Sequence, residues 1–396
     1  MKRRCNTLSN NVVRGACARV AVLVLAAALV GACGSDQTDS AKSTAAQPTS
    51  AEEPAALAAA LERLVGADQV PGTQAVLTNG DKVREYNHGI GDAVSGKPFP
   101  ADARVRIGSN TKTFVAVVAL QLVAEGKLEL DAPIEQYLPG VVRGVGYDAN
   151  KITVRNLLQH TSGIPDYSKE PEFDKEDSIR KIFQPNELVR MSWTRHPANF
   201  PPGERFSYSN TNYVLIGMII EKLTGQSLAS EIKRRIAEPL GLTATFLPAP
   251  EQTDIPGPHP QGYALVEDKS LNLTDQNTTW AGAAGAMIST GRELNRFFLA
   301  LLNGKLLPAP QLAEMQRTVP ADEINPGWQY GLGLARITSS CGKEVWGHGG
   351  SIVGFRTRTG YTKSGEAVTV AVNQYPTAPT IQTDMIAAVD AALCAS

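Results

Sequence analysis

Strand-forming runs lie at both ends of this 396-residue chain, whereas helical patterns fill its middle. Near the start, β-like runs at 74–78 and 82–88 flank Asn79-Gly80-Asp81, which is a hairpin signal. The other candidate strands come late, at 331–337, 344–346, 352–361 and 367–373. Since strands need partners, the simplest arrangement is one antiparallel sheet built from both chain ends. The sequence therefore predicts an α+β fold in which helices flank this sheet and an all-helical domain is inserted.

The predicted domain boundaries follow the same change from strand patterns to helical patterns. Segments 51–129 and 286–396 would form the α/β part, and segment 130–285 the mainly helical insert. Apolar periodicity predicts helices at 51–65, 111–125, 212–223, 229–237 and 381–393. A hydrophobic content of 42% is enough for a large core.

The first 50 residues read as an export and anchoring segment. Basic residues precede an apolar run at 20–31, which is too short to span a bilayer as a helix. Small residues then precede Cys33, as in a lipoprotein cleavage site. We predict a signal peptide at 1–32, lipid on Cys33 and a flexible tether at 33–50, which would hold the protein at the outer face of the cell membrane. The alternative is an ordinary secretory signal cut at a nearby small residue.

Two cysteines remain after this segment, Cys341 and Cys394. An even pair in an oxidising compartment favours a disulfide. The alternative is two buried free thiols.

A Ser-x-x-Lys pair carries the first candidate chemistry. Ser109 and Lys112 lie three residues apart, so on a helix they face the same way. A partly desolvated lysine can take the proton of the serine hydroxyl, and a helix start favours a developing oxyanion. A second such pair, Ser178 and Lys181, lies in a charged stretch that we interpret as a solvated helix. Ser109 instead follows an apolar strand pattern and opens an apolar helix.

Tyr208 and Asn210 form the second motif. A phenol beside a lysine cation has its pKa lowered and can act as general base. The asparagine amide can accept from Lys112 and donate to a substrate carbonyl. The alternative is a packed loop tyrosine followed by a helix-capping asparagine.

The third motif is the sequence Gly347-His348-Gly349-Gly350. Gly349 and Gly350 would let a substrate lie along a strand edge, and a neutral His348 could bridge to Tyr208 or to the substrate. The alternative is a tight turn with a surface histidine. Arg358-Thr359-Gly360 is a competing match, although Arg358 lies where the next strand should already be running.

The sequence lacks the motifs of several other classes of protein. The chain contains no Gly-x-Ser-x-Gly motif, no metal-ligand spacing among its five histidines, and no Walker or dinucleotide loop. A net charge of -1 without a basic stripe gives no reason to expect a nucleic-acid partner. We therefore expect no metal and no cofactor.

Together, these motifs resemble those of the serine β-lactamase and DD-peptidase superfamily, on its class C side. The sequence is especially similar to secreted D-alanyl-D-alanine carboxypeptidases of the His-Thr-Gly type, over about 57–394. The stretches that carry the resemblance are 106–112, 126–133, 152–163, 208–225, 280–289 and 330–334. The spacing of the two late cysteines relative to the histidine also resembles that of these enzymes, which have a disulfide there.

The resemblance implies a set of roles. Ser109 would be acylated while Tyr208 and Lys112 exchange its proton, Asn210 would hold the substrate amide, and His348 would assist Tyr208. The backbone N–H groups of Ser109 and Ser351 would form the oxyanion hole. Trp280 would line the pocket.

Two positions depart from the pattern of the resembled carboxypeptidases. A threonine is expected where the chain has Gly349, and an arginine where it has Ala335. In those enzymes the two groups bind the terminal carboxylate of the peptide. Arg336, Arg356 or Arg358 could substitute, although Arg336 should face away from the site if Ala335 faces it.

The sequence therefore predicts a serine hydrolase, with D-alanyl-D-alanine carboxypeptidase on peptidoglycan stem peptides as the first choice. An esterase or amidase for small acyl substrates, and a β-lactamase, are alternatives on the same fold. β-Lactams would be inhibitors or substrates. A non-enzymatic alternative is a penicillin-binding sensor or scaffold. The two departures lead us to expect weak carboxypeptidase activity beside better ester hydrolysis.

Overall fold

The computed structural model describes residues 53–174, 176–266, 269–375 and 378–395. The proposed signal peptide, Cys33 and the tether lie outside the described residues. The strands are β1 (Gly72–Asn79), β2 (Lys82–Gly89), β3 (Arg104–Arg106), β4 (Tyr263–Val266), β5 (Lys269–Asn272), β6 (Ile288–Thr290), β7 (Val319–Pro320), β8 (Gln329–Tyr330), β9 (Ala335–Thr338), β10 (Glu344–Gly347), β11 (Gly349–Ile352), β12 (Phe355–Tyr361) and β13 (Glu366–Val372). The helices are α1 (Ala55–Gly66), α2 (Thr111–Ala124), α3 (Ile134–Tyr137), α4 (Val154–Leu158), α5 (Pro185–Arg195), α6 (Asn210–Thr224), α7 (Leu228–Ile232), α8 (Glu238–Leu240), α9 (Gly282–Gly285), α10 (Gly291–Leu302), α11 (Ala309–Met315) and α12 (Ile381–Cys394).

The central sheet joins strands from both ends of the chain, as predicted. Its order is β2-β1-β13-β12-β10-β9-β8-β7, and β11 continues the line of β10 along the same edge of β12. Strand β1 pairs with β13 from Thr73 opposite Val372 to Asn79 opposite Glu366. All pairings within this sheet are antiparallel, which confirms the predicted architecture.

Helices cover both faces of this sheet. In β13, alternate residues point to opposite sides. Val368, Val370 and Val372 pack in one cluster with α1 and α12, the helices nearest the two chain ends. Ala367 and Ala371 belong to the larger cluster that contains α2 and α10. The sheet is therefore the middle layer of the fold.

Helix α2 is buried on nearly every side, which explains why its sequence is apolar all round rather than amphipathic. The ring of Phe114 stacks on Phe297 of α10 with the ring centroids 3.6 Å apart. A single turn of 3-10 helix, Gly108–Asn110, leads from β3 into α2. This connection places Ser109 at the N-terminal end of a helix held inside the protein.

The segment between β3 and β6 is helical except for one hairpin. Strands β3 and β6 pair with each other, Arg104 opposite Thr290, so the chain leaves and returns at the same place. Helices α3 to α9 lie between them, together with the hairpin of β4 and β5. An all-helical insert is therefore wrong at this hairpin. Its first strand is held extended because the backbone N–H of Tyr263 donates to the carbonyl of Asn373, 2.9 Å away. The exact bounds of the insert stay a prediction.

Two of the late strands differ from the prediction. In the run predicted at 331–337 only the end is strand, because β8 ends at Tyr330 and β9 begins at Ala335, with a turn at Gly333 between them, where φ is +75°. A Cβ atom on Gly333 would lie 2.6 Å from the Cβ of Ala116, so the turn packs directly on α2. The run predicted at 352–361 divides at Gly354 into the hairpin of β11 and β12.

Cys341 and Cys394 form a disulfide with their Cα atoms 5.8 Å apart, as predicted. The bond joins the turn between β9 and β10 to the end of α12, and it rules out the alternative of two free thiols. Among the described residues, no helix has the length and apolar character needed to cross a membrane.

Candidate active site

Ser109 and Lys112 face each other one helical turn apart. Lys112 lies in the first turn of α2, and its Nζ is 3.0 Å from the Oγ of Ser109. Lys112 is fully buried, whereas Ser109 is half-buried and lines a cavity of about 860 Å³. The predicted pair is therefore within direct proton-transfer distance.

The surroundings of Lys112 suit it to accept a proton. Its Nζ lies 2.7 Å from Asn210 Oδ1 and 2.6 Å from the carbonyl oxygen of Ala284, both of which only accept hydrogen bonds. Burial lowers the pKa of Lys112 to about 7, and the charge of Asp166 opposes this shift. A neutral amine donates its two protons to these acceptors and keeps its lone pair for the Ser109 hydroxyl.

Asn210 holds Lys112 from the start of α6. Its Nδ2 donates to Asp166 Oδ2 at 3.0 Å and to Ser168 Oγ at 2.9 Å. Both amide protons are thus used within the protein. That this amide donates to a substrate carbonyl stays a prediction. The expected contact with Lys112 is present.

Tyr208 lies over Lys112, whose Nζ is 4.9 Å from the centre of the phenol ring. Burial raises the pKa of Tyr208, and a hydrogen bond with Ser109 opposes the rise only in part. The expectation of a lowered phenol pKa is therefore wrong. Burial destabilises the charged phenolate by more than the neighbouring groups stabilise it. In this arrangement Tyr208 is a protonated phenol, and Lys112 is the group whose pKa is near neutrality.

His348 makes its hydrogen bonds away from Tyr208. Its Nδ1 lies 2.5 Å from the carbonyl oxygen of Gly349, so Nδ1 carries the proton. Its Nε2 then accepts from the hydroxyl of Tyr330 at 2.9 Å. Burial and the charge of Lys112 lower the pKa of His348 to about 3, so the ring is neutral, as expected. The expected contact with Tyr208 is replaced by the one with Tyr330.

A second buried histidine supports the same cluster. The ring of His160 lies against that of Tyr208, with centroids 4.3 Å apart. Its Nδ1 accepts from the backbone N–H of Ser209 at 3.2 Å. Burial holds the pKa of His160 well below its ordinary value. His160 is therefore a neutral ring that packs against Tyr208 and helps to hold it in position.

Strand β11 runs along the turn that carries Ser109. A Cβ atom on Gly108 would lie 2.6 Å from the backbone nitrogen of Ser351, and one on Gly350 would lie 1.9 Å from the carbonyl oxygen of Ile107. Only glycine permits this approach. The close contact places the backbone of Ser351 beside that of Ser109, as an oxyanion hole requires. Its role in catalysis stays a prediction.

The cavity brings the other predicted binding residues together. Trp280, Gly349, Gly350 and Ser351 all line it, and so do Tyr208, Asn210 and His348. One wall is largely apolar. It consists of Tyr167, Phe173, Ile179, Leu273 and Trp280. That these groups contact substrate stays a prediction.

The three candidate arginines lie in different surroundings. Arg336 faces away from Ala335, as expected, and forms an ion pair with Glu344 at 3.5 Å. Arg356 hydrogen-bonds to Gln382 of α12. Of the three, Arg358 alone lines the cavity.

The positions of the two competing motif matches in the structure do not suit the predicted roles. Ser178 is buried in a 3-10 turn and Lys181 is exposed, which corrects the expected solvated helix. The apolar side chain of Ile179 folds this stretch against the hairpin residues Ala264 and Leu273. Arg358-Thr359-Gly360 lies within β12, as its place in the sequence suggested.

The site also contains four residues that the sequence motifs did not indicate: His160, Asp166, Ser168 and Tyr330. One signal was available, because Asp166 two residues before Ser168 is typical of an Asx turn, and Asp166 Oδ1 accepts from the Ser168 N–H at 3.0 Å. His160 and Tyr330 have no such local signal, since only the tertiary fold brings them to Tyr208 and His348.

Comparison with known proteins identifies the family of this chain. The family described as Beta-lactamase matches residues 57–393. The structure is similar to that of a D-stereospecific amidohydrolase from a Streptomyces species, with a TM-score of 0.80 and 39% identity over 87% of this chain and 100% of that one. A D-amino acid amidase from Ochrobactrum anthropi has a TM-score of 0.75 and 30% identity over 86% of this chain and 97% of that one.

Curated relatives span a wider range of proteins. Esterase EstB of Burkholderia gladioli is 27% identical over 330 residues, which are 73% of this chain and 80% of the esterase. The chain spans only about half, 46%, of Protein flp of Staphylococcus aureus, with 29% identity over 59% of this chain. On the family match and the fold, this chain belongs to the Beta-lactamase family, within the serine β-lactamase and transpeptidase superfamily, and is a serine hydrolase.

Proposed function

We propose that this hydrolase cleaves amide or ester bonds at the carboxyl group of small D-configured aminoacyl substrates. The observation that carries the proposal is the geometry of Lys112, a buried amine with a pKa near neutrality, 3.0 Å from the Ser109 hydroxyl. Similarity to a D-stereospecific amidohydrolase at 39% identity and to a D-amino acid amidase at 30% supports the D configuration.

The proposed reaction has two halves. Ser109 Oγ attacks the substrate carbonyl carbon while its proton passes to Lys112 Nζ. The bond to the leaving nitrogen or oxygen breaks as that proton is delivered to it, directly or through the protonated phenol of Tyr208. Water then attacks the Ser109 ester, Lys112 takes and returns a proton, and the free acid leaves. The N–H groups of Ser109 and Ser351 would stabilise the negative oxygen in both halves.

The apolar wall of the cavity suits a hydrophobic acyl side chain. Tyr167 is fully buried, and its hydroxyl donates to the backbone carbonyl of Trp280 at 2.5 Å, which holds the Tyr167 ring in place. Phe173 and Leu273 continue this wall. An aromatic or branched D-aminoacyl group would bury its side chain there, at roughly 25 cal/mol per Å² of apolar surface removed from water.

D-alanyl-D-alanine carboxypeptidase is the second candidate. Against it, the positions expected to bind the terminal carboxylate are Gly349 and Ala335. In its favour, the same cavity contains the buried cation of Arg358.

Product analysis separates these candidates. The purified protein is incubated with D-phenylalaninamide, L-phenylalaninamide, an acetylated D-alanyl-D-alanine peptide and p-nitrophenyl butyrate, with Ser109→Ala as the control. We expect D-phenylalanine to be released much faster than L-phenylalanine, and ester hydrolysis to depend on Ser109. Equal rates for the two amides would remove the D-selective part of the proposal. Rapid release of D-alanine alone would favour the carboxypeptidase.

We also propose export and lipid anchoring through Cys33, which would place this activity in the cell envelope. The support for this comes from the residues before Cys33 in the sequence.

A further inference from the structure

We propose that Arg358 binds a carboxylate on the leaving group, so that the preferred substrates are D-aminoacyl amides of amino acids rather than simple amides. This inference rests on the proposed function, since it names the leaving group of the same reaction at Ser109. It assigns the role to Arg358 of β12, one of the three arginines that the sequence left open, and not to positions 335 and 349.

Arg358 is a buried cation without an anionic partner. Its side chain lines the cavity that contains Ser109, and the residue is 7% exposed. Among the described residues, no carboxylate lies within ion-pair distance of it, and its buried Nε has no hydrogen-bond partner. Its guanidinium lies over the face of Trp328, with Cζ 5.0 Å from the ring centre. A buried charge is costly unless it is paired, which favours an anion supplied by the ligand.

The guanidinium occupies the space of the missing side chain at position 349. Gly349 and Arg358 are directly opposite each other on β11 and β12. A Cβ atom on Gly349 would lie 2.3 Å from Nη1 and 2.6 Å from Cζ of Arg358. Glycine at this position therefore lets the arginine fold across the strand that borders the cavity. A guanidinium placed there presents a fork of donors suited to a carboxylate.

The position of Arg358 points to the leaving group. Trp328, on which the guanidinium lies, packs in one cluster with Tyr330, Ala335 and the ring of Tyr208. Tyr208 is the protonated phenol next to Ser109, so a leaving amine that receives its proton through Tyr208 departs on this side. The apolar wall with Trp280 is formed by other parts of the chain. A carboxylate held by Arg358 would thus belong to the released amino acid and not to the acyl group.

The neighbouring charged groups make contacts elsewhere, which leaves Arg358 available to a ligand. Arg356 lies on the same face of β12 and adds positive charge, but it donates to Gln382. Glu323 is at the rim of the cavity, where its carboxylate accepts from the backbone N–H of Tyr208 at 3.2 Å. Arg336 is paired with Glu344 and does not line the cavity. The local field therefore favours an anion at Arg358.

The test compares two substrates that differ in one charge, D-phenylalanylglycine and D-phenylalanylglycinamide. Release of D-phenylalanine reports the same bond in both. We expect the wild-type protein to have the higher kcat/KM for the acid. Arg358→Met should lower kcat/KM for the acid roughly 10- to 100-fold, as expected for the loss of a charge-assisted contact. The loss should be much smaller for the amide, so that the ratio of acid to amide in kcat/KM falls.

Arg336→Met is the matched control, because it removes an arginine from a neighbouring strand outside the cavity. The ratio of acid to amide should remain at the wild-type value in this variant. Arg358→Lys keeps the charge but loses the fork of donors, and should fall between wild type and Arg358→Met. An acid-to-amide ratio that is the same in Arg358→Met as in wild type would overturn the proposal.

A binding measurement on the wild-type protein covers the case in which Arg358→Met does not fold. Propionate and propionamide are compared as competitive inhibitors of p-nitrophenyl butyrate hydrolysis. Propionate should inhibit at least tenfold more strongly, and equal inhibition would overturn the proposal. Failure of the proposed function has a different signature, because neither phenylalanyl substrate would then be cleaved although propionate still inhibits the esterase reaction.

Discussion

Gly108 lies so close to Ser351 that a Cβ atom on it would be 2.6 Å from the backbone nitrogen of Ser351. Its φ of +50° adds a second reason for glycine, since L-residues are strained there. This contact joins the turn that carries the predicted nucleophile to the strand that would complete the oxyanion hole. The two motifs thus depend on each other through a backbone contact.

We therefore predict that Gly108→Ala lowers the rate of Ser109 acylation by roughly 100-fold or more, the range seen when an oxyanion donor is lost. The measurement is labelling by a fluorophosphonate under single-turnover conditions. Gly126→Ala is the control, because Gly126 also has a positive φ, +69°, but no atom lies within 4 Å of its Cβ position. If both variants label at the same reduced rate, backbone strain and not the approach to Ser351 is responsible.

The choice between the two Ser-x-x-Lys pairs can be tested directly. Ser109→Ala should abolish labelling by fluorophosphonate and by a fluorescent penicillin, because the attacking oxygen is lost. Ser178→Ala should leave labelling unchanged, since Ser178 is buried in a turn and Lys181 is exposed. Peptide mapping of the labelled wild-type protein identifies the modified residue. A label on any residue other than Ser109 would refute the assignment.

Local patterns predicted much of this fold because the relevant signals are short-range. The hairpin around Gly80 and the apolar helix α2 follow from turn chemistry and hydrophobic periodicity. The motif residues Ser109, Tyr208 and His348 line one cavity. Lys112 lies buried beside it, with its Nζ 3.0 Å from the Oγ of Ser109. The hairpin of β4 and β5 was missed because contacts with the distant residue Asn373 support it.

Hydrogen-bond partners and pKa values depend on burial, which a motif does not encode. The sequence suggested that a lysine cation would lower the pKa of Tyr208. In the fold both groups are desolvated, so the phenol pKa rises and the lysine pKa falls. His348 similarly has Tyr330 as its partner because the turn between β8 and β9 places that hydroxyl 2.9 Å from Nε2.

The disulfide should contribute substantially to stability. It closes a loop with a sequence separation of 53 residues. In the chain-entropy description, such a loop is worth roughly 4 kcal/mol. The double variant Cys341→Ala with Cys394→Ala should therefore lose about 4 kcal/mol in free energy of unfolding, measured by urea titration.

The oxidised protein without residues 1–50 should show no free thiol in denaturant, and two titrating thiols would contradict the pairing.

Anchoring through Cys33 is testable in cells. Radiolabelled palmitate should enter the full-length chain, and Cys33→Ala should prevent this and release the protein from the membrane fraction. Cys341→Ala with Cys394→Ala is the control, because those residues should accept no lipid. Unchanged palmitate labelling in Cys33→Ala would show that the anchor lies elsewhere, and soluble wild-type protein would favour an ordinary secretory signal.

The last prediction concerns pH and identifies the proton acceptor. Because burial lowers the pKa of Lys112 to about 7, the fraction of neutral amine rises with pH through neutrality. If Lys112 takes the Ser109 proton, kcat/KM for an uncharged ester should rise about tenfold per pH unit below the pKa, and level off above it. The measurement is p-nitrophenyl butyrate hydrolysis from about pH 5.5 to 10.5, corrected for spontaneous hydrolysis. His348, with a pKa of about 3, remains neutral throughout this range and cannot produce the inflection.

Two variants identify the group that causes the inflection in the pH profile. Lys112→Arg keeps a cation that cannot accept the proton, so it should lose most activity and the rise near neutrality. Asp166→Asn removes a charge that raises the pKa of Lys112, so the inflection should move to lower pH. An inflection that belonged to Asp166, whose own pKa burial raises, would instead disappear in this variant. A rise that begins only above pH 9 in wild type would show that Lys112 stays an ammonium and that the phenol of Tyr208 is the base.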